Sequence, residues 1–332
     1  MIPITGALAY DLFTSTLETM IPLLIVAIGA MICEKSGVTN IALEGIMIFG
    51  AFVGCWFVKI VEPETLVLAA QQTNWEKSVL FLGGALIGGI AGLLFSWLHA
   101  YASISMKADQ TISATALNLV APAIAIFVAR SVIGGRHIEY KTTFKMAEVG
   151  SFADIPVIGD LFFKNVNVGF YLGIVILLLA YVFLYKTKTG LRLMACGENP
   201  HAADSLGVNI YKIRYGAVLT SGFLGGLGGF VFAVSMGKSF EGTVSGFGFL
   251  AIAVLIFGNW RPFRVLFAAF FFGLMKTVAI SYSAIPFLSA LNINTNLYKM
   301  IPYVATLFVL IATSKSSHAP KAAGKIYDQG TR

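Results

Sequence analysis

Three side chains in this sequence combine polarity with a position inside a long apolar stretch. Glu44 follows Asn40 by one helical turn, Asn118 ends the run Ser-Ala-Thr-Ala-Leu-Asn, and Lys276 lies in Gly-Leu-Met-Lys-Thr. Such groups are costly in hydrocarbon and commonly mark a solute or ion path. Structural roles compete with that interpretation. Asn40 would cap a helix whose dipole favours the Glu44 carboxylate, Asn118 would bond a neighbouring helix, and Lys276 would snorkel to the membrane interface, the role we favour for that lysine.

Patterns for catalysis and cofactor binding are absent from the sequence. It contains no nucleophile–base pair and no metal-ligand spacing, and its three cysteines form no Cys-x-x-Cys pair. Residues 237–239, Gly-Lys-Ser, match the end of a phosphate-binding loop, but Phe232 stands where the pattern requires glycine. We therefore expect no enzyme activity and no cofactor bound by this chain, so ATP-driven work would need another subunit. The sequence has no series of paired carboxylates and histidines across the predicted spans, which argues against a proton relay.

The segment 197–207 predicts a short helix that ends itself. Asn199 can cap the first turn, Pro200 suits the first helical position, and Gly207 suits the left-handed residue after the last turn. The predicted helix, 200–206, is about 10 Å long, and so short a helix needs something to pack against. Ala202 and Ala203 would let its backbone sit close to a partner. We interpret it as a docking helix that fits into a groove on a cytoplasmic partner; an ordinary ordered loop is the alternative.

The composition predicts the elements that must position these residues. The chain of 332 residues is 57% hydrophobic and only 12% charged, its mean hydropathy is +0.82, and soluble proteins are about 25% charged. Several stretches exceed the roughly 18 apolar residues that cross a membrane. The fold class is therefore an all-α polytopic membrane protein with about nine spans (8–10). The net charge of +7 does not indicate nucleic-acid binding, because it is spread over short loops. The predicted spans are 13–33, 41–60, 79–99, 111–133, 168–186, 213–234, 246–260, 263–283 and 297–313.

The distribution of Lys and Arg predicts the orientation of these spans. Basic residues concentrate beside the 197–207 segment and in the tail, and loops rich in Lys and Arg remain in the cytoplasm. We therefore expect a multi-pass plasma-membrane protein with its N-terminus outside and its C-terminus inside. The membrane domain is 1–314, the cytoplasmic coupling loop 187–212, the extracytoplasmic loop 134–167 and the cytoplasmic tail 315–332.

Two predicted spans carry glycines at four-residue spacing, which lets helix backbones approach closely in lipid. We favour tight packing over sliding as their role. These glycines are Gly84, Gly88 and Gly92 in one span, and Gly222, Gly225, Gly226 and Gly229 in the other.

Four segments together resemble ABC-transporter permeases, specifically the branched-chain-type importer permeases for nucleosides and simple sugars. The resemblance runs from about residue 15 to the C-terminus, and its most specific part is 197–214. The segments are VTNIALEG (38–45), KADQTIS (107–113), 197–214, and the stretch from SGFGF to IFGNW (245–260).

The resemblance implies a function and partners. In that family the 197–214 loop supplies the coupling helix, with Ala202, Ala203, Asp204 and Gly207 in the core of the permease signature. It implies a groove on an ABC ATPase subunit that carries the ATP, a second homologous permease in a heterodimer, and an extracytoplasmic lipoprotein that binds a nucleoside or sugar. The chain would be the membrane-spanning permease subunit of an ATP-driven importer, with nucleosides as the expected solute.

Three alternatives stay open at this point. The solute could be a simple sugar such as ribose, because sugar permeases share the same motifs. An ion-coupled secondary transporter would work alone, but it needs an intramembrane ion site, for which Glu44 and Lys276 are poor candidates. A membrane enzyme would need a catalytic constellation, which the sequence does not contain.

Overall fold

The computed structural model describes residues 6–148, 155, 158–237, 239–291, 294–313 and 318–330. The described chain is mostly helical, which confirms the predicted fold class. Its helices are α1 (Gly6–Glu34), α2 (Leu43–Val61), α3 (Leu66–Gln71), α4 (Asn74–Ala100), α5 (Gln110–Val128), α6 (Ile158–Phe162), α7 (Val168–Lys186), α8 (Lys188–Glu198), α9 (Pro200–Ser205), α10 (Ile210–Met236), α11 (Phe247–Phe257), α12 (Pro262–Ile280), α13 (Pro286–Ala290) and α14 (Thr295–Thr313). Its strands are β1 (Ile138–Glu139), β2 (Lys145–Glu148), β3 (Lys164–Asn167) and β4 (Ser239–Phe240).

Seven helices in the described residues are long and apolar enough to cross a membrane. They are α1, α2, α4, α5, α7, α10 and α12, with α4 and α5 each lengthened by a wider π-helical turn (Tyr101–Ser105 and Ala129–Ile133). The predicted span 297–313 coincides with α14, which is not among the seven. The predicted span 246–260 contains α11, whose 11 residues reach about 16 Å at 1.5 Å per residue. That is about half of a hydrocarbon core, so the predicted count of nine is approximate.

The helices α1 and α10 form the centre of the molecule and are almost entirely buried. Helix α10 packs against α1, α2 and α4, and glycines lie where these backbones meet. A Cβ atom added at Gly226 would collide with the carbonyl oxygen of Gly88, and one added at Gly92 would collide with that of Gly222. The predicted tight packing of the glycine-bearing spans is therefore confirmed.

Two helices begin inside the bundle rather than at its surface. Residues 35–42 connect α1 to α2 without helix, although Ser36 and Asn40 there are buried. Helix α11 begins after Gly246, which has φ +78°. The first turn of α2 contacts the first turn of α11, so the two N-termini meet. Discontinuous helices of this kind form the binding sites of many transporters.

The ends of the bundle differ in structure. One end, here called the α9 end, carries α8, α9, the start of α10 and residues 318–330. The opposite end carries two small antiparallel sheets, in which Ile138 pairs with Phe240 and Met146 pairs with Val166. The predicted loop 134–167 thus contains strands and α6.

Parts of four predicted segments lie outside the described residues. They are 1–5 at the N-terminus, 149–154 and 156–157 in the loop 134–167, 314–317 and 331–332 in the tail region, and Lys238 of the Gly-Lys-Ser sequence.

Candidate functional site

Helix α9 is built by the residues that the sequence singled out. The Asn199 side-chain oxygen accepts a hydrogen bond of 3.1 Å from the Ala202 amide, and Pro200 is the first helical residue. Gly207 has φ +78°, the left-handed region that favours glycine. The helix ends at Ser205, one residue before the predicted end, because the Val208 amide returns to the Ala203 carbonyl at 3.1 Å.

On α9, Ala203 does not face a partner as the sequence predicted. Ala203 is 3% exposed and packs with Cys196, Ile210 and Tyr327 of its own chain. Ala203 therefore faces inward, because the preceding helix and the C-terminal residues cover that side. The outward face includes Ala202 and the 85%-exposed Leu206. An apolar side chain held out at the tip of a polar loop is available for a partner.

The segment before α9 is a helix and not the loop that 187–212 suggested. Thr187 caps α8 by accepting a hydrogen bond of 3.1 Å from the Gly190 amide. Gly190 lets α8 pass against the last turn of α7, where a Cβ atom would collide with the carbonyl oxygen of Phe183. Burial raises the pKa of the Cys196 thiol to about 11, so this cysteine serves packing rather than reaction.

Residues 318–330, here called the tail strap, cross the α9 end and bond its elements together. The Ala322 amide donates to the Gly197 carbonyl at 2.8 Å and the Gly324 amide to the Gly37 carbonyl at 3.2 Å. The Arg214 guanidinium donates to the Lys325 carbonyl at 3.1 Å. The strap thereby ties α8 to the linker between α1 and α2.

The last part of the tail strap lies directly on α9. Tyr327 is 4% exposed, and its ring centroid is 5.1 Å from that of His201. Gln329 donates to the Asp204 carboxylate at 3.2 Å, and Asp328 forms a 2.7 Å ion pair with Lys107. The hydrogen bond from Lys107 lowers the pKa of Asp328 and raises the pKa of Lys107.

The tail strap was not predicted from the sequence. Its contacts are backbone hydrogen bonds and one buried ring, and neither leaves a local pattern. Tyr327, the one aromatic residue in an otherwise polar tail, was the available signal.

At the junction of α2 and α11, Glu44 completes the N-terminus of α11. Its two carboxylate oxygens accept hydrogen bonds from the amides of Gly246 at 2.9 Å and Gly248 at 2.8 Å. Gly248 allows this approach, because a Cβ atom there would collide with the backbone of Glu44. An N-terminus without such partners would leave donors unsatisfied.

Asn118 completes the N-terminus of α2 in a comparable way. Its side-chain oxygen accepts a 2.8 Å hydrogen bond from the Gly45 amide, and its amide nitrogen donates to the Ile41 carbonyl at 2.9 Å. The expected capping of α2 by Asn40 is wrong. The helix starts after Ala42. The Asn40 side-chain oxygen accepts a hydrogen bond of 3.2 Å from the Ala42 amide, before the first turn, and its side-chain nitrogen donates to the Ser221 hydroxyl of α10 at 3.0 Å.

Lys276 lies beside this junction, in the last turns of α12. Its ammonium is 5.2 Å from the ring centroid of Phe247 and 5.7 Å from that of Tyr303, distances typical of cation–π contacts. These contacts do not test the expected snorkelling to the membrane interface, which stays a prediction.

Lys276 contributes to a cavity of about 520 Å³ at the helix ends opposite α9. Four aromatic rings and several hydrogen-bonding groups surround it. Its lining includes Phe232, Ser245, Phe247, Lys276, Tyr282, Thr295, Lys299 and Tyr303. Aromatic faces with a few polar groups suit a flat, polar organic solute.

The structure brings two of the three predicted path residues, Glu44 and Lys276, to the start of α11. The third, Asn118, lies nearby in the bundle. Glu44 holds the helix that presents Phe247, Lys276 faces the same ring, and Asn118 holds the helix that presents Glu44. The aromatic lining was missed, because Phe and Tyr are common in membrane spans. In the part of the chain that the structure describes, no group of His, Cys, Asp or Glu could hold a metal ion.

Comparisons with known proteins add to this geometry. Residues 12–310 match the family model for the permease component of the branched-chain amino acid transport system. The chain is 39% identical over 307 residues to the nucleoside ABC transporter permease protein NupC of Lactococcus lactis, covering 92% of this chain and 93% of the relative. It is 39% identical over 321 residues to the guanosine ABC transporter permease protein NupQ of Bacillus subtilis, covering 96% of each.

A more distant relative is described as a glucose permease. A putative glucose ABC transporter permease protein of Haloferax volcanii is 29% identical over 323 residues, covering 91% of each chain. No solved structure is significantly similar to the chain.

Proposed function

The chain belongs to the family of permease components of branched-chain amino acid transport systems, and from that premise we propose that it carries nucleosides through an ATP-driven importer. It is a multi-pass ABC transporter permease. Its aromatic cavity is the observation that carries the solute class, and the names of two relatives at 39% identity support it.

The cavity matches the two chemical parts of a nucleoside. A base is flat and can stack on Tyr303 or Phe247, and stacking on an aromatic ring is worth about 1–3 kcal/mol per base. A ribose offers hydroxyl groups that Ser245 and Thr295 can bond. A neutral solute needs no buried counter-charge, and Lys276 already has two aromatic partners.

A simple sugar is the second candidate, and the name of the putative glucose ABC transporter permease protein of Haloferax volcanii favours it. A sugar uses the hydroxyl groups of the cavity but gains less from four aromatic rings. The ion-coupled alternative is weaker, because both oxygens of Glu44 accept hydrogen bonds from the amides at the start of α11, a structural role that does not require an ion.

We infer the partners from the family and from the outward face of α9. An ABC ATPase subunit would receive Leu206 and Ala202 in a groove and supply the ATP. A second homologous permease would complete the membrane part, and an extracytoplasmic lipoprotein would deliver the solute. The α9 end, the loop 187–212 and the tail would then be cytoplasmic, and the strand-bearing loop 134–167 would face outside.

Uptake by the complete importer in proteoliposomes tests the solute. We expect unlabelled nucleosides to compete with labelled guanosine, and ribose to compete weakly. Tyr303→Leu should lower nucleoside uptake about tenfold, the order of one lost base stack. Tyr101→Leu is the control, because Tyr101 is similarly exposed (48% against 55%) but lies outside the cavity. Competition by ribose equal to that by nucleosides would establish the sugar alternative.

Site-directed labelling in intact cells tests the orientation. The background would lack Cys33, Cys55 and Cys196, all of which are buried. Thr143→Cys at the strand-bearing end should react with an impermeant thiol reagent, and Ser205→Cys in α9 should not. Reaction of Ser205→Cys alone would reverse the orientation.

A further inference from the structure

A second cavity, of about 690 Å³, lies at the α9 end between the last turn of α7 and the first turn of α12. Lys186 ends α7 and Pro262 begins α12. Both helices are candidate membrane spans, so this cavity lies at the level where spans leave the hydrocarbon. It lies at the opposite end of α12 from the aromatic cavity and is not part of the solute site proposed above.

The charge of this cavity is strongly positive. Four cations line it, together with one carboxylate, that of Glu198. No ion pair found among the described residues involves any of the four cations. The four are Lys35, Lys186, Arg261 and Arg264.

Lys35 is the innermost of these cations. Its ammonium lies 5.9 Å from the ring centroid of Tyr185. Burial lowers the pKa of Lys35, and Arg261 lowers it further, while Glu198 opposes both effects. A bound anion would compensate this desolvated and crowded positive charge.

The wall of the cavity toward the membrane is aromatic. The ring centroid of Tyr181 is 5.2 Å from that of Phe263, which joins α7 to α12, and Phe263 is 45% exposed. Aromatic side chains with one apolar and one polar end are typical of the membrane interface. A ligand in this cavity can thus keep its charged part among the cations and extend an apolar part along α7 and α12.

The connection between α11 and α12 holds the arginines at the mouth of the cavity. Trp260 is buried, and its indole nitrogen donates to the Glu34 carboxylate at 2.7 Å. Asn259 and Trp260 both have positive φ, 49° and 52°, a conformation that only surrounding contacts maintain in such residues. Arg261 follows directly, so its position is fixed by a buried anchor.

We propose that this cavity binds the phosphate of an anionic phospholipid, with the headgroup among Lys35, Arg261 and Arg264 and the acyl chains between α7 and α12. Basic pockets between spans on the cytoplasmic side are suited to such headgroups. Arginine binds phosphate through paired donors. Phosphate is the shared chemistry of a lipid and a free anion; the aromatic, membrane-level wall favours the lipid.

Native mass spectrometry of the full chain in detergent tests this assignment. The probes are phosphatidylglycerol, phosphatidylcholine of the same acyl length, and glycerol 3-phosphate. We expect the wild type to retain phosphatidylglycerol well above the other two. Arg261→Gln combined with Arg264→Gln should weaken phosphatidylglycerol binding about thirtyfold, since each basic residue near an anionic lipid contributes about fivefold.

The control is Arg192→Gln in α8, an exposed arginine outside the cavity, which should leave lipid retention unchanged. If the double variant loses its fold, Phe263→Ser is the second test, because it removes the apolar wall and keeps every cation. It should weaken phosphatidylglycerol binding without affecting glycerol 3-phosphate.

Two results would overturn the proposal. Equal binding of glycerol 3-phosphate and phosphatidylglycerol by the wild type would identify a free-anion site. Loss of ATPase association in the double variant, with lipid retention unchanged, would identify a protein-docking patch.

Discussion

Helices α9 and α11 both begin with satisfied amide groups, but their caps come from very different distances along the chain. Asn199 accepts from an amide three residues away, whereas Glu44 accepts from the amide of Gly246, 202 residues away. A local cap makes α9 a unit that can keep its shape while it meets a partner. A long-range cap makes the start of α11 depend on the position of α2. One region is therefore suited to docking and the other to a site that changes with the bundle.

Removal of the long-range cap should have the largest effect. Glu44→Ala leaves the Gly246 and Gly248 amides without their acceptor, at about 1–3 kcal/mol for each buried group. We expect a lower thermal unfolding midpoint in detergent and loss of most uptake, because Phe247 and the cavity lose their support.

Two further substitutions test whether the carboxylate of Glu44 causes that result. Glu44→Gln retains one oxygen acceptor and should fall between wild type and Glu44→Ala. Glu241→Gln, at an exposed glutamate, should behave as wild type. Normal stability and uptake of Glu44→Ala would mean that α11 does not depend on this cap.

Loss of the buried ring in the tail strap should rank second. Tyr327→Ala removes an aromatic side chain from the cluster beneath α9, a change that costs about 3 kcal/mol in comparable cores. The strap should then detach, which proteolysis of the tail would detect, and ATPase association should fall. Tyr327→Phe keeps the ring and is the matched control. If the tail of Tyr327→Ala resists proteolysis as the wild type does, the Tyr327 ring does not hold the tail strap in place.

Adjacent alanines of α9 separate packing within the chain from contact with a partner. Ala203→Asp would place a carboxylate in a buried cluster, at a cost of several kcal/mol if it stays charged, and should destabilise the permease itself. Ala202→Asp, on the exposed face, should leave the unfolding midpoint unchanged and weaken co-purification with the ATPase. The assignment of faces fails if the two variants exchange these phenotypes.

Loss of the local cap should lower stability less than loss of the Glu44 cap, of the Tyr327 ring or of the buried Ala203 contact. Asn199→Ala removes one capping bond, worth about 1 kcal/mol, and α9 should fray without unfolding of the bundle. Hydrogen exchange of the Ala202 amide should rise while that of α10 stays constant. Asn199→Asp keeps an acceptor and should preserve protection.

The ion pair of Lys107 with Asp328 should have the smallest effect, because both side chains are exposed. The lowered pKa of Asp328 means that its stabilisation exists above its unfolded pKa, about 4, and is lost as pH falls through the folded value. The raised pKa of Lys107 means that its stabilisation exists below about 10.4 and is lost as pH rises through the folded value. Proteolysis of the tail should therefore increase outside that window, and 0.5 M salt should reduce the difference. Asp328→Asn should abolish the increase in tail proteolysis at low pH.

The same distinction between local and distant partners explains what the sequence could predict. Apolar stretches, glycine spacing and the Asn-Pro…Gly signal of α9 are local, and each predicted where its element lies, although the ends of some spans differ by up to seven residues. The half-length of α11 was not predictable from hydropathy, because an apolar run does not show where a distant carboxylate starts the helix. The inward face of Ala203 depends on Tyr327, 124 positions later in the printed sequence, and small residues carry no sign of direction. Glu44, Asn118 and Lys276 were correctly placed among polar residues in spans, but their roles in the path stay predictions.

Nucleoside uptake by the complete importer in proteoliposomes separates an ATP-driven importer from an ion-coupled transporter. The comparison is between a wild-type ATPase partner and one unable to hydrolyse ATP, each with and without an ion gradient. We expect uptake only with ATP hydrolysis, whatever the gradient. Equal uptake with the inactive ATPase would contradict this expectation.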